Sequence, residues 1–305
     1  MTHSTTSSMS TSGTARPAAV PVAASRGRRF WRALRGQHKA MAGGSIVLLF
    51  ILAALLAPWL ATHPPAAQDL MAAMQAPSAA HWFGTDSFGQ DIYSRVLYGA
   101  RSALWVGFAS VALGLVGGVA IGLIAGLKGG RTEWALMRVV DGLLAFPELI
   151  MAMAFMAVLG LGVGNVIYAL ALSFVGPFAR MVRADVLQVK QRPFVEAARL
   201  MGVPQRDIVV RHVLPNIVSP ILIQAGMRVS IAILLGSGLS FLGLGVVPPT
   251  PDWGLMISEG RGFIMMAPWM SGIPGVVLAV LLVGLNLAAE GLRDALDPRT
   301  RGGHA

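Results

Sequence analysis

The chain contains no cysteine and few charges: of its 305 residues only 12% are Asp, Glu, Lys or Arg. Without cysteine there are no disulfides, thiolate metal sites or cysteine nucleophiles. Soluble domains carry about 25% charged residues, so the shortage of charge points to lipid. Three catalytic signatures are also missing: no G-x-x-x-x-G-K-[ST] phosphate loop, no H-E-x-x-H pair and no G-x-S-x-G elbow occurs. Nucleotide hydrolysis therefore falls to a partner. Serines inside apolar runs, such as Ser237 and Ser240, have no His or Lys close in sequence to act as base. They are expected to bond back to helix carbonyls, and a membrane enzyme is poorly supported.

What the sequence does have is apolar length. It is 55% hydrophobic with a mean hydropathy of +0.66, and runs of about 18 or more apolar residues mark membrane spans. Such runs occur at Ser45 to Ala61, Leu104 to Leu127, Val140 to Leu161, Val166 to Val182, Ile217 to Leu242 and Gly272 to Ala289. The first begins too late in the chain to be the hydrophobic part of a signal peptide. The expected fold is an all-α integral membrane protein with about six transmembrane helices. Residues 1–25, rich in Ser, Thr, Ala and Pro, have the composition of a disordered tail. Residues 26–44 form a basic juxtamembrane segment, read either as a plain topogenic charge cluster or as a stretch suited to lying against anionic headgroups. A first span at 45–61, an external segment at 62–103, a core of five spans at 104–290 and a tail at 291–305 complete the layout.

The formal charge of +10 does not indicate nucleic acid, because the basic residues flank apolar runs instead of lining one face of a soluble domain. Placing both termini in the cytoplasm leaves 20 of the 24 Lys and Arg inside and three outside, with Arg228 within a span. Cytoplasmic loops attract such an excess. The second run carries Gly114, Gly118, Gly122 and Gly126 at i, i+4 spacing. A stripe without Cβ atoms lets another backbone approach closely, which is how helices associate in lipid. Of the ionisable groups, only Glu148 and Arg228 lie clearly inside spans, while Asp141 and Glu290 fall near cytoplasmic ends. Intramembrane charges are functional candidates, here either as a structural pair or cavity wall or as part of a transport path. A self-contained secondary carrier or channel is the alternative reading, but a proton relay would want more buried carboxylates than this chain offers.

The loop between the fourth and fifth runs is the most informative stretch. Pro193 can start a helix, where its missing N–H is harmless, and Gly202 is placed to end that helix in a left-handed cap. Pro204 turns the chain, and Pro215 stops a second helical stretch before the membrane. Ala197 and Ala198 give the first helix a narrow face able to enter a groove on another protein, and Glu196 places a charge at its beginning. The pattern Glu196-Ala197-Ala198, three residues, Gly202, then Leu214-Pro215 resembles the signature cytoplasmic loop of ABC importer permeases, with His212 replacing the usual isoleucine. His81 to Asp86, Gly89-Gln90-Asp91, Ser94-Arg95, Tyr98 to Arg101, Leu239 to Gly245, Pro251 to Gly254 and Leu292 to Arg299 are similar to the dipeptide, oligopeptide and nickel class, and within it to the shorter of the two paired permeases. Gln90 stands where that class commonly has arginine.

The resemblance implies the type I permease fold in a bacterial-type inner membrane. It also implies a second homologous permease, two ATPase subunits carrying ATP and Mg, and an extracytoplasmic substrate-binding protein. On this resemblance the chain is a permease moving di- or oligopeptides by alternating access, with no cofactor of its own, and Glu196 to Gly202 is the coupling helix. His81, Asp86 and Asp91 do not suggest a metal: Asp86 reads as a cap and Asp91 with Arg95 as an ordinary i, i+4 pair. Asp252 and Trp253 are expected to shape the outer loop against the binding protein.

Overall fold

The computed structural model describes residues 37–296. The tail at 1–25, most of the basic segment at 26–44 and the end of the C-terminal tail lie outside them. The described residues fold into helices alone: α1 (His38–Leu60), α2 (Ile92–Lys128), α3 (Gly130–Leu144), α4 (Glu148–Leu159), α5 (Val163–Lys190), α6 (Pro193–Leu200), α7 (Gln205–Ile208), α8 (Leu214–Phe241), α9 (Trp253–Gly260) and α10 (Trp269–Leu296). Five stretches are long and apolar enough to cross a membrane, and the α3–α4 pair makes a sixth if it is one broken span.

That third span differs from the continuous run seen in the sequence. It breaks before Pro147, and its halves meet at 93°. Pro147 cannot donate to the preceding turn and disfavours helix at Phe146. At 1.5 Å per residue, twelve-residue α4 is about 18 Å long, short of a 30 Å hydrocarbon core. The pair nevertheless carries the chain back across the bundle, because α2 and α5 run parallel. Gly114 lies against Phe174, Gly118 against Phe178, Gly122 against Val182 and Gly126 against Val186, so both helices advance in the same direction.

Here the glycine stripe does what its spacing implies. A Cβ on Gly118 would lie 2.3 Å from Phe178 Cβ and 2.9 Å from the Val175 carbonyl oxygen, and one on Gly122 would lie 2.6 Å from the Ala179 carbonyl oxygen. Neither backbone can give way. α1 and α10 meet in the same manner, with Gly43 against the Ala288 backbone and Gly284 against Ile46. Meanwhile Leu48, Leu49, Leu55 and Trp59 of α1 stay exposed, as lipid-facing side chains do.

α2 starts a dozen residues before its apolar run. Asp91 caps it by accepting the Ser94 amide at 2.9 Å, and its polar first turns are covered by the 62–91 segment and by α9. Trp253 is 1% exposed, donates its indole N–H to the Val96 carbonyl at 3.0 Å and sits where a side chain on Gly99 would have to go. Asp252 is buried too, capping α9 through the Leu255 amide. Both therefore hold the outer loop against its own bundle. Lys39 pairs with Glu290 at 3.0 Å, so the start of α1, the end of α10 and the segment following Lys190 lie at one end of the bundle. Loops 62–91 and 242–268 lie at the other.

Replacing Gly118 with leucine should lower stability in detergent by about 3 kcal/mol, the upper range for overpacking. Gly44→Ala, at a position with open space around it, should leave stability unchanged or raise it by about 0.5–1 kcal/mol. Graded SDS unfolding of the two variants checks the contrast.

Candidate functional site

The segment between α5 and α8 is a built elbow. α6 begins at Pro193 and ends in a Schellman cap: the Gly202 amide donates to the Arg199 carbonyl at 3.0 Å and the Val203 amide to the Ala198 carbonyl at 3.1 Å, with Gly202 at φ +77°. Only a left-handed residue closes both bonds, which is why glycine stands there. A Cβ at Gly202 would meet nothing within 4 Å, so the constraint is conformational and the space beyond it is free.

The elbow is fastened by a second apolar core distinct from the membrane bundle. Val195 and Ala198 of α6 join Val182, Val186 and Val189 of α5 and Ile208, Val213, Ile217 and Ile221 of the following segment. Val182, Val186, Val195, Val213 and Ile217 are fully buried, and burying one such side chain contributes about 1.5–3 kcal/mol. Lys190 donates to the Gly126 and Leu127 carbonyls at 2.9 and 3.2 Å, tying the end of α5 to the unpaired carbonyls at the end of α2.

Two expectations need correction here. Ala197 and Ala198 do not share a face: Ala198 is 3% exposed and packs inward, while Ala197 points out. Consecutive helical residues are about 100° apart, so one alanine lets the elbow close on itself and the other leaves the outer face narrow. That outer face consists of Phe194, Glu196, Ala197, Leu200 and Met201, with Leu200 85% and Met201 76% exposed. Pro215 does not stop the helix either. Gln205–Phe241 runs as one stretch, because Val209–Val213 widens into a π turn in which the Leu214 amide reaches the Val209 carbonyl. The wider turn absorbs the missing N–H of Pro215, and the Asn216 side chain donates to the His212 carbonyl at 2.6 Å. Leu214 is half-buried against the second core, and Pro215 is exposed.

The two intramembrane charges pair. Glu148, the first residue of α4, accepts from Arg228 of α8, whose guanidinium also lies 5.5 Å from the centre of the Phe174 ring. Glu148 also sits at the positive end of α4, where a carboxylate is favoured. The pair thus joins the helix after the 93° break to the helix that follows the elbow.

At the opposite end, the sequence spacing misassigned Arg95. It pairs with Asp86 and Gln90, and reaches Glu259 at 3.2 Å across 164 positions. Asp91, its expected partner, accepts instead from Ser94, Thr62 and His81. Burial raises Glu259 above the ordinary glutamate value, countered in part by Arg95 and assisted by the charge of Asp86. Asp252 is likewise raised by burial, against hydrogen bonds from the Leu255 amide and Ser240. Ser240 does not bond back to a helix carbonyl as expected; its hydroxyl oxygen accepts the Val246 amide at 3.2 Å. Asp91 is pushed up by burial but held below its usual range by Ser94, His81 and the charge of His63. No local sequence signal could have revealed Glu259 or His63 as members of these clusters, since their partners lie far away in the chain.

The glycine-seamed pairing of α2 with α5 and the packed elbow between α5 and α8 are the features that position the candidate site. The chain belongs to the family of binding-protein-dependent transport system inner membrane components, which it matches over residues 118–302. Residues 25–77 match the N-terminal transmembrane domain of oligopeptide transport permease C. Relatives include the dipeptide transport system permease protein DppC of Alkalihalophilus pseudofirmus, 40% identical with 90% of each chain covered. The glutathione transport system permease protein GsiD of Pectobacterium atrosepticum is 41% identical, covering 90% of this chain and 91% of that one. The inward-facing MetNI methionine ABC transporter shares the fold, with a TM-score of 0.57 at 19% identity over 68% of this chain and 98% of the other. The protein is a multi-pass inner-membrane permease of a binding-protein-dependent ABC importer.

The Glu148–Arg228 pair is partly buried, at 31% and 13% side-chain exposure, so removing one partner should cost less than the roughly 3–5 kcal/mol of a fully buried pair. Glu148→Ala is expected to destabilise by about 2 kcal/mol, and Glu148→Ala combined with Arg228→Met should recover most of that loss. A double-mutant cycle in SDS unfolding measures the coupling.

Proposed function

We propose that this chain is one of two homologous permease subunits of an importer for di- or oligopeptides. ATP hydrolysis falls on two separate ATPase subunits that carry ATP and Mg, and an extracytoplasmic protein delivers the solute. No cofactor is assigned to the chain itself. The dipeptide and glutathione names of its relatives support a short peptide as cargo.

The observation that carries this reading is the elbow. Its second core and Schellman cap make it rigid, while Leu200 and Met201 stay exposed at its outer edge. An exposed apolar rim on a stiff support fits a protein groove better than water. Glu196, Ala197, Ala198 and Gly202 are assigned to coupling, with Ala198 acting from within. Leu214 and Pro215 begin the rod that transmits motion into α8. The Lys and Arg excess supports a cytoplasmic side for the elbow and both termini, where ATP is available. Closure of the ATPase pair would then tilt the two permeases between inward-facing and outward-facing states, and the ATPases bias that equilibrium by binding the two states unequally. Glu148 and Arg228 join α4 to α8 at the level where the halves of the third span part, which suits a hinge that stays closed while the bundles rotate.

Gly202→Asp tests the assignment. A charged side chain there strains the left-handed cap and intrudes on the docking surface, but the space around Gly202 is open and far from the membrane seam, so the variant should still insert. Uptake of a labelled dipeptide by cells carrying all five subunits should nevertheless fall to background. Full uptake by an inserted, assembled variant contradicts the coupling role.

A further inference from the structure

At the end of the bundle opposite the elbow, the 62–91 segment folds back to bring His63, His81 and Asp91 together. His63 follows α1, His81 sits in the 62–91 segment, and Asp91 caps α2. His81 Nδ1 lies 3.0 Å from Asp91 Oδ1, His63 Nδ1 lies 3.9 Å from Asp91 Oδ2, and the two imidazole rings are 4.7 Å apart, tilted by 32°. One donor atom from each residue falls within 4.8 Å of the others. We propose that these three residues form a binding site for a divalent transition ion of the zinc type, which pins the end of α1 to the start of α2.

The chemistry of the donor set supports this. Two imidazoles beside one carboxylate suit zinc and its neighbours, whereas magnesium and calcium prefer oxygen ligands throughout. Zinc holds nitrogen and oxygen at about 2.0–2.2 Å, so tetrahedral neighbours stand about 3.3–3.6 Å apart. His81 Nδ1 lies just short of that range from Asp91 Oδ1, and His63, which faces Asp91 Oδ2 at 3.9 Å and contacts Thr62 Oγ1 at 3.0 Å, would turn toward Oδ1 to complete the set. His63 has room to move, with a side chain 41% exposed, whereas Asp91 at 1% is fixed. Ser94 and Thr62 donate to Asp91 Oδ2 at 2.7 and 3.2 Å, a second layer of the kind that orients a ligating carboxylate. Among the described residues Asp91 has no Lys or Arg partner, because Arg95 is turned to Asp86 and Glu259. Among those residues its charge faces only the neutral Ser94 and Thr62 donors and the two imidazoles. Spacing along the sequence suggested no such site because it assigned Asp91 to Arg95, and the third ligand, His63, lies 18 positions before His81.

The inference is independent of the transported solute. Its test is isothermal titration of zinc chloride into the full chain in lipid nanodiscs, with any affinity tag removed. Binding of one zinc per chain is expected, weakened at least about tenfold by His63→Ala or His81→Ala and unchanged by His38→Ala or His212→Ala. Cobalt added to the unaltered chain should give the visible absorption of a tetrahedral site, a readout that requires no variant to fold. Absence of both the cobalt band and saturable zinc binding in the micromolar range, or zinc binding that survives loss of His63 and His81, overturns the proposal.

Discussion

The close approach of α2 and α5 is the constraint on which the rest of the structure depends. Lipid gives two apolar helices little reason to prefer each other over acyl chains, so the drive comes from dispersion between surfaces that fit. Four glycines remove the side chains that would hold the backbones apart, and Phe174, Phe178, Val182 and Val186 fill the seam. Because the two helices are parallel, the chain between them must return across the bundle. It does so through a broken pair, α3 and α4, rather than a straight span. The same seam fixes where α5 ends, and so where the elbow begins.

From there rigidity is handed on in steps. Lys190 ties α5 to the end of α2, the valines of α5 form the floor on which α6 rests, and the π turn lets α7 continue into α8 without a joint. The elbow is thus joined to α5 by shared apolar contacts and to Arg228 by a continuous helical stretch from Gln205. The exposed rim of α6 and the buried underside are separate faces of one short helix. Leu200 and Met201 face outward, while Val195 and Ala198 pack the helix onto α5 and the segment leading into α8.

Much of this was legible in the sequence, and what was not has physical reasons. Apolar runs gave the spans because burial in lipid needs length, and the i, i+4 glycines gave the packing face because helical periodicity places them on one side. Pro193 and Gly202 bounded α6 as their backbone preferences require. Pro147 was underestimated: hydropathy counts it as one residue in an apolar run, whereas the missing N–H divides the span. Pro215 was overestimated, since a widened turn can absorb the same defect. The polar start of α2 was missed because its burial comes from distant loops, and Arg95 was given its nearest acid, although Asp86 and Glu259 surround it in space. Pairings made by tertiary structure leave no periodic trace. Ala197 and Ala198 were legible as a motif but not as two faces, because the residue that packs inward is decided by the cores of α5 and α8.

The account stands or falls on whether the outer face of α6 engages an ATPase. The absence of cysteine makes the decisive measurement clean: a single cysteine placed at Ala197, in an importer whose ATPases carry single cysteines along their permease-facing cleft, can be cross-linked site by site in membranes. A short-range cross-link from position 197 to the cleft, changing in yield when ATP is bound, is the predicted result. No cross-link to either ATPase from position 197 in an assembled, transport-active complex would contradict the coupling role of the elbow.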